Sequence, residues 1–110
     1  MPILIQVNIG AEATKAGVLP EALPELAQHI LSHCAHLELR GLMTIPPADS
    51  QSRRWFAALR TLRDDTGQSL GVELPELSMG MSGDYREAIE EGATIVRLGT
   101  ALFGPRPAAR

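Results

Sequence analysis

The sequence predicts an α/β fold: four parallel strands alternating with helices, in the order β-α-β-α-β-α-β. Three observations carry this. Four apolar runs (Ile3 to Asn8, Leu37 to Ile45, Leu74 to Met79 and Ala93 to Leu98) are separated by stretches of helical character. The runs are mostly apolar rather than strictly alternating, as in strands buried on both faces. The connections are short, and such alternation implies a parallel sheet with right-handed crossovers. Four strands make either half of an eight-stranded (β/α)8 barrel or a small open sheet.

Each element has its own signals. Ile9 to Val18 holds two glycines and polar residues and reads as a loop after the first strand. Leu19 to Cys34 is expected as a helix. Pro20 and Pro24 lie near its first turn, where a missing N–H is tolerated, and Glu21 and Glu25 suit its positive end. Leu23, Leu26, Ala27, Ile30, Leu31 and Cys34 form one apolar stripe. Pro46-Pro47 stops the second strand, and Asp49 or Ser50 then caps a helix running to about Asp65. Trp55, Phe56, Leu59 and Leu62 supply its buried face, Arg53, Arg60, Arg63 and Asp64 its solvent face, and Thr66-Gly67 its end. A third helix is expected from Ser82 to Glu91, with Tyr85, Ala88 and Ile89 inward. Ala101 to Phe103 can add one helical turn, and Gly104 to Arg110 is expected to fray.

The totals exclude several classes. A length of 110 residues fits one domain, here residues 1–110. A net charge of −3 argues against a nucleic-acid or anionic-membrane binder, which carries a basic surface. No apolar run approaches the ~20 residues of a membrane helix. Met1-Pro2-Ile3-Leu4-Ile5 lacks a signal peptide's basic region. Cys34 is the single cysteine, so no internal disulfide forms and a cytoplasmic location is expected.

The chemistry concentrates in the last third. Leu77 to Asp84 (LSMGMSGD) and Val96 to Gly104 (VRLGTALFG) each read as a short strand running into small residues and a helix start. Ser82 can cap a helix, Gly83 allows close approach to its first N–H groups, and Gly99-Thr100 repeats the arrangement. Two such ends side by side can hold one phosphate, and in a (β/α)8 barrel the loops after the last two strands are a frequent phosphate site. Arg97 sits at a strand end among apolar neighbours, where a charge is costly unless paired. Glu73 and Asp84 are its candidate partners if its role is structural. Met43 and Met79 to Met81 lie at strand ends and suit soft core packing. Asp84 reads as a first-turn carboxylate. His29, His33 and His36 invite a metal reading, but their place off the apolar stripe makes a solvated helix face the expectation. Cys34 lies on the stripe and reads as buried filler.

These pieces resemble the YggS/PROSC-type pyridoxal 5′-phosphate (PLP) homeostasis proteins, single-domain relatives of the alanine racemase barrel. The matching stretches are LIQVNIGAEATKAG (Leu4 to Gly17), LRGLMTIPP (Leu39 to Pro47), LSMGMSGDYREAIEEGAT (Leu77 to Thr94) and VRLGTALFG (Val96 to Gly104), in the family's order and spacing. The resemblance implies the second half of a (β/α)8 barrel, its last four strands. The first half, with the strand whose lysine forms the Schiff base to PLP, has no counterpart here. Lys15, the only lysine, matches a loop lysine after the family's fifth strand.

The resemblance also implies the site. Ser82 would hydrogen-bond the PLP phosphate, and Gly99 and Thr100 would complete the cradle. Arg97 would face the pyridine nitrogen; a guanidinium donates hydrogen bonds, accepts none and keeps its proton at neutral pH, so that nitrogen stays unprotonated and the ring is a weak electron sink. Met43 and Met81 would lie beside the ring. The expected function is non-enzymatic PLP binding in cofactor homeostasis, with PLP held non-covalently at best. A racemase needs a lysine base and an opposed tyrosine; here the only tyrosine, Tyr85, falls on a helix. A half-barrel binding other phosphorylated metabolites, or an inactive fragment, are the alternatives. A half-barrel also leaves sheet edges unpaired, so self-association or pairing with a separate N-terminal half is expected.

Overall fold

The computed structural model describes residues 1–12, 16–47, 49 and 51–97. Its elements are β1 (Pro2–Gln6), a 3-10 turn (Pro20–Ala22), α1 (Leu23–His33), β2 (Glu38–Met43), α2 (Ser52–Leu70), β3 (Glu76–Met81), α3 (Tyr85–Glu90) and β4 (Ile95–Arg97). The strands form one sheet in the order β1-β2-β3-β4, every neighbouring pair parallel. Strands added always on the same side by right-handed crossovers place all their helices on one face. The packing agrees: α1 lies against α2 and α2 against α3, each also touching the strands beside it. An open doubly wound sheet would reverse its strand order and put helices on both faces. The observed arrangement is an α/β half-barrel.

The core lies between sheet and helices. Ile5, Val7, Leu39, Leu42, Leu77 and Met79 come from the sheet side, and Leu23, Ala27, Ile30, Phe56, Leu59 and Ala88 from the helices. Successive side chains on a strand point to opposite faces. Leu4, Gln6, Met43, Ile95 and Arg97 therefore share the face away from the helices, where Ile95 stays 40% exposed. The strands were expected to be buried on both faces; the helical face is covered, whereas on the other face Ser78 is buried and Leu4, Gln6, Met43 and Arg97 are only half-buried.

Several boundaries differ from expectation for local reasons. The helix expected over Leu19 to Cys34 is broken, because Pro24 has no N–H for the Pro20 carbonyl and its ring crowds that oxygen. The Leu23 N–H bonds Pro20 O instead, closing a 3-10 turn. Leu31, assigned to the buried stripe, is 41% exposed. The start of α2 has Gln51 as its cap, without a side-chain capping bond. Asp49 serves it differently, accepting from the Gln51 N–H at 2.8 Å and the Trp55 indole at 3.3 Å; Ser50 lies outside the described residues.

Thr66-Gly67 does not end α2. Gly67 is buried inside the helix, and a Cβ there would lie 2.8 Å from the Val72 carbonyl oxygen. The terminator is Gly71, at φ +68°. Arg63, placed on the solvent face, keeps a side chain only 18% exposed and pairs with Asp64. Strand β3 starts two residues late because Pro75 cannot donate to the ladder, and it continues through Gly80 to Met81. Helix α3 is short, beginning at Tyr85. Ala88 is its buried residue, while Ile89, expected inward, is 54% exposed. Arg53 ties α2 to α3 by bonding Glu90 and, at 3.2 Å, Glu91, which Arg60 also approaches at 3.4 Å. Residues 98–110, including the expected last turn and tail, lie outside the described residues.

Candidate functional site

The carboxyl ends of β2, β3 and β4 meet at one place. Met43 ends β2, Met81 ends β3 and Arg97 ends β4. Met81 and Arg97 are register partners, the sheet slipping between Ser78 and Met81 to bring them opposite. Gly80 makes that slip possible. It sits at φ +99°, and a Cβ there would lie 2.6 Å from the Ala88 Cβ, so only glycine lets the strand end pass beneath α3.

Arg97 is half-buried and reaches across β3. Its Nη2 donates to the Thr44 carbonyl at 3.4 Å. Thr44 follows Met43 and is fully buried. Its hydroxyl donates to the Val7 carbonyl at 2.7 Å and its N–H to the Ser78 carbonyl at 3.1 Å. Neither Glu73 nor Asp84 pairs with Arg97; among the described residues it makes no ion pair. Asp84 is engaged elsewhere, its Oδ1 accepting the Met81 N–H at 2.8 Å.

Ser82 does not cap a helix. It stands in the turn between Met81 and α3, whose cap position is Asp84. Beside it, Gly83 has open space where a Cβ would be and no left-handed φ. Packing therefore does not require glycine at 83. On the outer side of this turn, a cleft of about 430 Å³ is lined by Asp49, Ser52, Arg53, Gly83, Asp84 and Glu87. Three carboxylates against one arginine make it a poor anion site. That arginine is moreover held in its charged form by hydrogen bonds to Glu90 first and Glu91 second, which raise its pKa. The strand-end side carries Arg97, which no carboxylate pairs with among the described residues and whose Nη2 is held by a neutral carbonyl, and is the side suited to an anionic or electron-rich ligand.

Of the residues singled out in the sequence, the structure brings together Met43, Met81 and Arg97, with Ser82 next in the chain. Met81 is 48% exposed and Met43 half-buried, whereas Met79 is core. Gly99, Thr100 and Lys15 lie outside the described residues. His29, His33 and His36 are exposed; the first two rings stack at 4.7 Å, and no cluster of metal-binding side chains occurs among the described residues.

Two residues were not anticipated. One is Thr44. The other is Asn8, 7% exposed, which closes the loop after β1 by bonding both the carbonyl and the N–H of Glu12, at 2.6 and 3.1 Å. The available signal was the same for both: a small polar residue near the carboxyl end of a mostly apolar run.

The donors present suit PLP in kind: a guanidinium and a hydroxyl at a strand end flanked by methionines. Comparison with known proteins points the same way. A pyridoxal phosphate homeostasis protein of Aquifex aeolicus is 52% identical over 107 residues, covering 94% of this chain and 46% of the relative. The chain spans about half the length of the curated relatives it matches. PipY of Synechococcus elongatus, solved with PLP bound, superposes with a TM-score of 0.77 at 38% identity, over 94% of this chain and 49% of PipY. Alanine racemase of Corynebacterium glutamicum, at 19% identity, shares the fold with a TM-score of 0.76 over 99% of this chain and 31% of its own. With the half-barrel in place, and residues 1–107 matching the model of the alanine racemase N-terminal domain, the chain belongs to that family.

Proposed function

We propose that this chain is the second half of a (β/α)8 barrel that holds PLP without catalysis, in the cytoplasm, as part of PLP homeostasis. The observation that carries the reading is Arg97, set opposite Met81 at the carboxyl end of the sheet and held by the Thr44 carbonyl. The likeness to a PLP-bound relative over nearly the whole chain supports it. In this reading Arg97 donates toward the ring nitrogen and Met43 and Met81 lie along the ring. Ser82, Gly99 and Thr100 take the phosphate. When bound, PLP would supply an electrophilic aldehyde and an aromatic electron sink, and a guanidinium at the ring nitrogen leaves that sink weak. Lys15 does not bond the aldehyde, so binding is reversible.

A PLP titration of the 110-residue chain tests this. Saturable binding is expected without the visible band of a lysine-linked cofactor, and borohydride should leave Lys15 unmodified. A trapped adduct on Lys15 would overturn the non-covalent reading, and absence of binding the function itself.

The partly exposed sheet face supports a partner. Ile95 and Met81 are 40% and 48% exposed on or beside it. Edge strand β1 is capped only near its end, where Val18 bridges Val7, and β4 pairs only with β3 among the described residues. Open edges recruit other strands. The occupant in this reading is an N-terminal half-barrel or, in its absence, a second copy. Light scattering at two concentrations should give a mass above that of one chain, rising with concentration. A strictly monomeric, soluble species would count against a partner.

A further inference from the structure

Resting on the PLP reading, we propose that Thr44 is the positioning residue for Arg97: its buried hydroxyl fixes the direction of the carbonyl that holds the guanidinium. Thr44 joins three other parts of the sheet at once. Its hydroxyl bonds Val7 beyond β1, its N–H bonds Ser78 in β3, and its carbonyl accepts from Arg97 in β4.

The need for the hydroxyl follows from what comes next. After Thr44 the chain runs Ile45-Pro46-Pro47. Two consecutive residues without an N–H cannot continue a ladder, so regular pairing cannot orient the Thr44 peptide from that side. The side chain takes over, because a hydroxyl 2.7 Å from the Val7 carbonyl fixes Thr44 against β1 just where the strand pairing stops. Val7 is only 1% exposed, so its carbonyl has little access to water as a substitute donor. A guanidinium held at Nη2 is restricted in how it turns and so in how it aims its remaining donors, which a ring nitrogen requires and a freely turning arginine does not provide.

Thr44→Val keeps the shape and removes the hydroxyl, whereas Thr44→Ser keeps the hydroxyl. Nitrogen-15 relaxation at Arg97 Nε reads the proposal without cofactor. The heteronuclear NOE is expected to fall toward that of exposed Arg86 in Thr44→Val and to hold in Thr44→Ser. The PLP dissociation constant should rise about tenfold in Thr44→Val, stay within about twofold in Thr44→Ser, and show no added loss when Thr44→Val is combined with Arg97→Ala. An unchanged Arg97 NOE in Thr44→Val overturns the proposal, as does an equal loss of affinity in the Arg97→Ala background. Thr44→Ala, read the same way, replaces Thr44→Val if that chain loses its dispersed amide spectrum. Wild-type chain that binds no PLP while the NOE responds as expected would sink the functional reading and leave the positioning of Arg97 standing.

Discussion

Gly41→Ala is expected to lower stability by about 3 kcal/mol, the top of the usual overpacking range, and to separate β2 from β3. A Cβ on Gly41 would lie 1.8 Å from the Glu76 carbonyl oxygen and 2.6 Å from its carbon. Both are backbone atoms of the register partner, so no side chain can swing away to relieve the overlap. The close approach arises because β2 slips against β1 between Ile3 and Leu4, passing over Arg40 and bringing Gly41 opposite Leu4. In a chain this size the melting temperature should fall by roughly 12–24 °C, measured by circular dichroism. Gly83→Ala is the comparison, since nothing lies within 4 Å of a Cβ there; it should stay within about 0.5 kcal/mol of wild type. Equal melting temperatures for the two variants would mean that β2 and β3 are not paired as described.

Much of this architecture was visible in the sequence, because runs of apolar residues and the breakers between them are local. The order of four strands and three helices follows from such signals. Half-barrel against open sheet did not follow from them, because strand order is set by which strands pair and no single segment encodes that; the resemblance alone implied the half-barrel. Boundaries failed where one residue type serves two purposes. Gly67 looked like a helix stop, yet it is a small residue admitting the Val72 carbonyl, and the stop is Gly71. Pro24 looked compatible with a helix begun at Leu19, but its missing N–H falls where Pro20 needs a donor, so the first turn tightens.

The site was legible in proportion to how much of it is side chain. Arg97 stood out because a lone charge among apolar residues needs a partner. Its partner did not, because a backbone carbonyl leaves no mark in a sequence, whereas Glu73 and Asp84 do. Thr44 went unnoticed for a related reason. It read as one more residue of the strand Leu37 to Ile45, and only the contacts to Val7 and Ser78 distinguish it. Ser82 was picked out as a cap by residue type, but the structure gives the cap position to Asp84 and the turn to Ser82.

Arg97→Ala is expected to weaken PLP binding about 10- to 150-fold, the equivalent of the ~1.5–3 kcal/mol carried by a hydrogen bond to a charged group. The fold should tolerate the change, since what Arg97 holds among the described residues is the Thr44 carbonyl and no carboxylate. Melting temperature therefore separates loss of site from loss of structure. Pyridoxal, which lacks the phosphate, separates the two ends of the ligand. If Arg97 serves the ring, the substitution weakens PLP and pyridoxal by the same factor, while Ser82→Ala weakens PLP alone. Arg97→Lys should recover only part of the loss, because an ammonium is a point charge without the fixed fork that the Thr44 carbonyl holds from one side. Loss confined to PLP in Arg97→Ala would instead make the guanidinium a phosphate contact. The ring would then point the other way in the half-barrel, and the methionines at 43 and 81 would no longer flank it.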